Sequence, residues 1–169
     1  MEAIIRYVTL EDADSFALVY SQSYQAAFRG IIPDGVLDNI FSYSKRREGF
    51  IKEASDSSRV NVIMHDGNNP VGILTYGASM DEDLNDSVVE ILRIYIIPSM
   101  WGHGYGNLLM KWALDKFRQN SYKRVSLWVI EQNERARQFY EQTGFEHDSK
   151  TRIIDVGRDI KDLRYIKIL

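Results

Sequence analysis

Apolar and polar residues along this chain fall into short blocks whose period changes from two to about four and back again. Ile4–Val8 is a short apolar run and predicts a strand. Thr9 follows, with Asp12 three residues on in the place of a capping-box acid, so a helix should open there and run to about Ala27. Within it Phe16, Tyr20, Tyr24 and Phe28 recur every fourth residue, which places them on one stripe. Gly30–Gly35 breaks the pattern, and Val36–Phe41 and Lys45–Ala54 read as two short helices. Val60–His65 and Val71–Tyr76, joined by the turn Asp66–Pro70, predict a hairpin. Val88–Ile97 is a long apolar strand, stopped at Pro98, which has no N–H to give a ladder. Asn107–Gln119 carries Leu108, Leu109, Trp112, Ala113 and Phe117 at helical spacing. Val125–Ile130 is a strand, and Asn133–Thr143 is a helix with Gly144 suited to its C-cap. Phe145–Val156 and Leu163–Leu169 are two closing strands around a turn at Gly157. A strand, helix, strand succession across Val88–Ile130 implies a parallel crossover. The result is a mixed α/β sheet with no seam for a second domain.

Composition narrows the chemistry. The 169 residues suit one domain, taken here as 1–169, with chain enough for one core. A net charge of −3 makes no general case for nucleic-acid or membrane binding. Cysteine is absent, which removes disulfides, thiolate catalysis and zinc–thiolate sites together. The opening residues carry charges within the first six positions and no long apolar core, so no signal peptide is expected. No apolar run approaches the roughly 18 residues of a membrane span. The expectation is a cytoplasmic protein. The number of subunits is open, a homodimer included.

One stretch asks for a ligand. Gly102, Gly104 and Gly106 alternate between the apolar strand and the helix that follows. Glycine costs roughly 0.5–1 kcal/mol more than alanine in ordered elements, so three together suggest backbone that must touch something. Bared amides at a helix start hold anions. A P-loop would need Lys-Ser or Lys-Thr after Gly106, and a dinucleotide fingerprint would need glycine at 107 and an acid near 126. Asn107 and Ser126 stand there instead.

The run "IYIIPSMWGHGYGNLLM" resembles the acetyl-CoA-binding segment of the GCN5-related N-acetyltransferase (GNAT) superfamily, with Trp101 where that pattern has Gln or Arg. A second segment, "NERARQFYEQTGFE", is similar to the family's Asn-x-x-Ala-x-x-Phe-Tyr-x-x-x-Gly-Phe at Asn133, Ala136, Phe139, Tyr140, Gly144 and Phe145. The resemblance implies the GNAT fold. That is a mixed, mostly antiparallel sheet of about seven strands with a central parallel pair splayed to admit acetyl-CoA, and about four helices. It implies that Ile94, Tyr95 and Ile96 offer backbone groups to the pantetheine arm. It also implies that the backbone of Gly102, His103, Gly104, Tyr105, Gly106 and Asn107 holds the pyrophosphate. Asn133 would contact the pantetheine or the loop, or simply cap its helix. Tyr140 would point at the thioester sulfur and act as the acid.

Glu90 is the candidate base. It interrupts an apolar strand, so its carboxyl should be partly desolvated and its pKa raised. A salt bridge at the strand's start is the competing explanation. Tyr24, Phe28 and Arg29, where the first helix meets its loop, are candidate acceptor contacts. The acidic run Asp81, Glu82, Asp83 and Asp86 would steer a cationic amine or merely be solvated. His65 and His147 stand alone, so no metal site is expected. Together these readings point to direct acetyl transfer from acetyl-CoA to a primary amine in a ternary complex, the acceptor being a small amine such as a polyamine or amino-acid derivative. A protein or peptide acceptor, or a non-catalytic acyl-CoA-binding sensor, are the alternatives.

Overall fold

A computed structural model describes residues 3–53 and 56–169. Strand β1 (Ala3–Tyr7) leads through a short 3-10 turn into α1 (Ala13–Phe28). The expected capping box forms: Asp12 accepts from the Thr9 backbone N–H at 2.7 Å while also taking a two-pronged ion pair from Arg6. Two short helices follow, α2 (Asp34–Ile40) and α3 (Tyr43–Glu53). They bring the helix count to five rather than about four, because Phe41 and Ser42 end one helix before the next begins. The expected end of α3 at Ala54 lies outside the described residues. The rest of the chain is β2 (Arg59–Asp66), β3 (Asn69–Ala78), β4 (Val88–Ile96), α4 (Tyr105–Gln119), β5 (Arg124–Ile130), α5 (Glu134–Gln142), β6 (Glu146–Asp155) and β7 (Asp159–Ile168).

All seven strands make one sheet in the order β1-β2-β3-β4-β5-β7-β6, antiparallel throughout except for β4 and β5. One face is covered by α4 and α5. There Leu109, Met110, Ala113 and Phe117 pack on Val89, Ile91, Val125 and Leu127. The other face is covered by α1 to α3, with Phe16 and Tyr20 on Ile63 and Ile73, and Phe28 and Leu37 beside Ile130 and Ile160.

Two irregularities in β4 prepare a site. Thr75 pairs with Arg93 and Tyr76 with Ile91, so Leu92 is one residue too many, a bulge. The bulge resets the alternation of side chains. Val89, Ile91, Ile94 and Ile96 all face α4, while Tyr95 turns to α1. The parallel pairing of β4 with β5 covers only Val88–Ile91 against Arg124–Leu127. Past that point the two strands part, although each continues.

Candidate active site

The parting opens a cleft of about 740 Å³ between β4 and β5. Its walls include Glu90, Ile94, Tyr95, Ile96, Gly102, Gly104, Tyr105, Gly106, Asn107, Asn133 and Tyr140, and at the other end Tyr24 and Phe28. Sequence positions from 24 to 140 thus meet in one place. Two of the expected residues do not line it. Arg29 leaves its helix outward and binds Gln25, Asp34 and Asp38 on the surface, at 2.5, 3.1 and 3.3 Å. The loop beginning at Gly30 turns its side chain away from the cleft. His103 is exposed, its ring nitrogen Nδ1 2.9 Å from the Trp101 carbonyl, and only its backbone stays with the loop.

The glycine loop has the form an anion needs. Gly102 and Gly104 sit at φ of 77° and 83°, the left-handed region that favours glycine. Gly104 is the N-cap of α4 and offers no capping side chain. The first helical bond runs from the Leu108 N–H to the Gly104 carbonyl at 3.1 Å. Among the described residues, none of the amides from Gly102 to Asn107 meets a protein acceptor. The space a Cβ would enter at Gly102 or Gly104 is empty within 4 Å. At Gly106 it would meet the Phe139 ring at 3.3 Å, so that glycine serves close packing of α4 on α5. Tyr105 faces inward and donates its hydroxyl to Asp66, so its contribution to the loop is its backbone N–H.

Trp101, which departs from the expected Gln or Arg, has a defined task. Its indole N–H donates to the Ile96 carbonyl at 2.7 Å, and the Ser23 hydroxyl donates to the same oxygen at 3.0 Å. The Ile96 carbonyl is therefore taken by protein donors. The outer ring face of Trp101 carries the Arg135 guanidinium at 3.7 Å. Among the described residues Arg135 has no carboxylate partner, and it lines the cleft at the loop end. Arg135 is not among the residues the sequence motifs single out. The signal was there, since it lies two residues after Asn133 in the first turn of α5.

Tyr140 reaches the cleft from α5, ringed by Phe139, Phe145 and Tyr165. Its hydroxyl has no protein partner among the described residues, and burial pushes its pKa well above the usual phenol value. It stays protonated and free to donate. Asn133 caps α5, its Oδ1 accepting from the Ala136 N–H at 3.2 Å, and it also lines the cleft, so the two readings of this residue are compatible. Glu90 is 7 % exposed and accepts from the Ser79 hydroxyl at 2.9 Å. Burial raises its pKa and the Ser79 bond opposes that rise. No salt bridge holds it among the described residues, contrary to the competing explanation at the sequence level.

The cleft wall at the end away from the glycine loop is polar, a feature mostly invisible in the sequence. Trp128, Arg152 and Asp162 line the cleft beside Tyr24 and Phe28. Asp162 stands opposite both Ile130 and Arg152 in the sheet register. Arg152 donates twice to one oxygen of Asp162, at 3.0 and 3.1 Å, and rests 4.1 Å from the Trp128 ring. The acidic run behaves differently from a free steering patch. Asp81 and Asp83, with Asp148, gather around the buried Arg164, and Asp81 also accepts from the Trp128 indole at 3.1 Å.

Comparison with known proteins agrees with this geometry. The model of the acetyltransferase (GNAT) family matches residues 21–145. An uncharacterized N-acetyltransferase of Archaeoglobus fulgidus is 30 % identical over 141 residues, 80 % of this chain and 88 % of that one. A second, from Methanocaldococcus jannaschii, is 26 % identical over 149 residues, 84 % of this chain but only 60 % of that protein's length. Among solved structures, a PaiA N-acetyltransferase from Thermoplasma acidophilum in complex with coenzyme A superposes over the full length of both chains with a TM-score of 0.75 at 19 % identity. No helix among the described residues is long and apolar enough to cross a membrane. With a matched segment that takes in the splayed strands, the glycine loop and the capped helix bearing Tyr140, the chain belongs to the GNAT acetyltransferase family.

Proposed function

We propose that the protein transfers the acetyl group of acetyl-CoA directly to a small primary amine bound in the same cleft. The observation that carries this reading is that the glycine loop, whose amides from 102 to 107 meet no protein acceptor among the described residues, and Tyr140, whose hydroxyl likewise has no partner among them, border one cleft. The amides and the N-terminus of α4 suit the pyrophosphate. Arg135, fixed on Trp101, adds a cation for a phosphate. The free edge of β4 from Leu92 to Ile96 suits an amide-bearing arm, with the Ile96 carbonyl excluded because two protein donors already hold it.

The chemistry needs two proton movements. A primary amine has a pKa near 10.4, so only about one molecule in a thousand is neutral at pH 7.4, a handicap of roughly 4 kcal/mol. Glu90 takes that proton. The amine nitrogen then attacks the thioester carbonyl carbon; as the carbon–sulfur bond breaks, its electron pair goes to sulfur, and the second proton that nitrogen releases ends on the thiolate. Tyr140 donates a hydrogen bond to the departing sulfur and keeps its proton. The chain supplies no cysteine for an acyl-enzyme.

Glu90→Gln should lower kcat/KM most at low pH, with partial recovery as pH approaches the amine pKa. The sign follows from the base: burial raises the Glu90 pKa, so wild-type activity climbs as pH rises through that raised value. A pH–rate profile of the variant parallel to wild type would assign Glu90 a structural role.

Gly104→Val tests the loop. The substituted Cβ meets no protein atom, so the fold should survive, but a β-branched residue at this positive φ is strained and its side chain fills the space beside the amides. Acetyl-CoA affinity should fall at least tenfold, about 1.4 kcal/mol. Calorimetry showing unchanged affinity in a folded variant would remove the phosphate assignment. The reading as a whole is tested by thiol release from acetyl-CoA against a panel of small amines and peptides. Binding of acetyl-CoA without release with any amine would favour a sensor.

A further inference from the structure

Asp162 is not explained by the fold alone. It is 4 % exposed, yet its Oδ1 has no hydrogen-bond partner among the described residues, while Oδ2 takes both bonds from Arg152. A buried carboxylate oxygen left without a donor is costly, and native structures keep few such groups without a reason. The residue lines the cleft on the acceptor face, next to Tyr24, Phe28 and Ile154. Its charge is felt at the Tyr24 phenol. Arg152, the cation that half-satisfies it, is nearly half exposed and rests on Trp128 rather than being locked in the core.

We infer that Asp162 is the residue that binds the acceptor as its ammonium ion, and that the acceptor is a primary amine carried on an apolar body. This rests on the acetyl-transfer reading above and adds its substrate class. An ammonium brings the donors that Oδ1 lacks. Tyr24, Phe28 and Ile154 receive the apolar part. Of the three arginines among the described residues that line the cleft, Arg93 is paired with Glu53 and Arg135 lies on Trp101 at the loop end, so Arg152 is the cation beside Asp162, and it engages only Oδ2. Burial raises the pKa of Asp162 and Arg152 only partly opposes that rise, so a second cation would favour its charged form. Asp162 thereby selects the ammonium form of the acceptor.

The inference gives the two partners of one ion pair opposite expected effects. Phenethylamine is titrated calorimetrically into enzyme saturated with CoA, with 2-phenylethanol as the uncharged control of the same shape. Wild type should bind the amine at least tenfold more tightly than the alcohol. Asp162→Asn should erase that preference while leaving CoA affinity unchanged. Arg152→Gln removes the competing cation and should tighten amine binding about threefold or more. If the pair were only structural, both variants would weaken the amine, and that result overturns the inference. So does a wild-type enzyme that does not distinguish amine from alcohol. If Asp162→Asn fails to fold, judged by its melt and its CoA titration, the Arg152→Gln arm decides alone. If CoA itself does not bind wild type, the acetyl-transfer reading falls. CoA binding with failed amine arms overturns this inference and leaves that reading standing.

Discussion

Tyr140→Phe should lower kcat about 100-fold while the KM for acetyl-CoA changes little. The substitution keeps the ring and its packing against Phe139, Phe145 and Tyr165 and removes only a hydroxyl that has no protein partner. Stability should therefore stay near wild type, and the loss should appear only as charge builds on sulfur. The size follows from the proton inventory. General acids are typically worth about 10²–10⁴-fold. A free thiol has a pKa near 8.5, below that of a phenol, and burial moves the Tyr140 phenol further up, so full proton transfer to the thiolate runs uphill. What Tyr140 supplies is a hydrogen bond to the forming thiolate, which sets the effect at the low end of that range. Steady-state thiol release with a saturating amine measures it, and a melt confirms folding. Near wild-type kcat, confirmed by single-turnover kinetics so that product release does not mask the chemical step, would remove the assignment.

Arg164→Met should destabilise the protein by about 3 kcal/mol, at the low end of the 3–5 kcal/mol expected when one partner of a buried ionic cluster is removed. Arg164 is 3 % exposed and binds Asp83 through both oxygens at 2.7 Å, Asp148 at 2.8 Å and Asp81 at 3.1 Å. Methionine fills much of the same volume but leaves three carboxylates facing one another. They reach solvent at their outer edge, which keeps the loss from being larger. For a chain of this length the melting temperature should drop by about 6–12 °C. The effect depends on pH with a definite sign. The guanidinium holds the Asp83 carboxyl well below its ordinary range. Its stabilising contribution is therefore present above the ordinary carboxylate pKa and is lost as pH falls toward the depressed one. The gap between wild type and variant should shrink below about pH 4. A gap that stays constant from neutral to acid pH would show that Arg164 acts through packing rather than charge. Because Asp81 also accepts from Trp128 on the floor of the cleft, the variant should raise the amine KM as well.

Much of the path to the site was local, and local patterns were enough for it. The periods of two and four placed every strand and helix to within a few residues, because the apolar stripe that selects a helix or strand is written over a handful of neighbours. The capping box at Thr9 and Asp12 formed as expected for the same reason. The glycine loop and Tyr140 were legible because each sits in a continuous motif. The side chains of Arg29 and His103 were not. Whether a side chain at a helix end turns inward depends on partners such as Asp34 and Asp38, which only the folded loop sets in place.

What the sequence by itself determined about this protein is its element order, its glycine loop and the helix that carries the phenol. The tertiary structure alone decided which faces those elements show one another. The bulge at Leu92 flips the side chains beyond it, sending Tyr95 toward α1 and leaving Ile94 and Ile96 toward α4, and no propensity in an apolar strand announces an extra residue. The gathering of Asp81, Asp83 and Asp148 on Arg164 joins residues up to 83 positions apart. Asp162 reads in the chain as one more polar residue of a closing strand. It becomes a half-satisfied carboxylate in the cleft wall only because β7 pairs between β5 and β6, which puts Ile130 on one side of it and Arg152 on the other. Sheet order is set by the summed burial of all the strands, and a side chain's partners across a sheet follow from that order rather than from its neighbours in sequence.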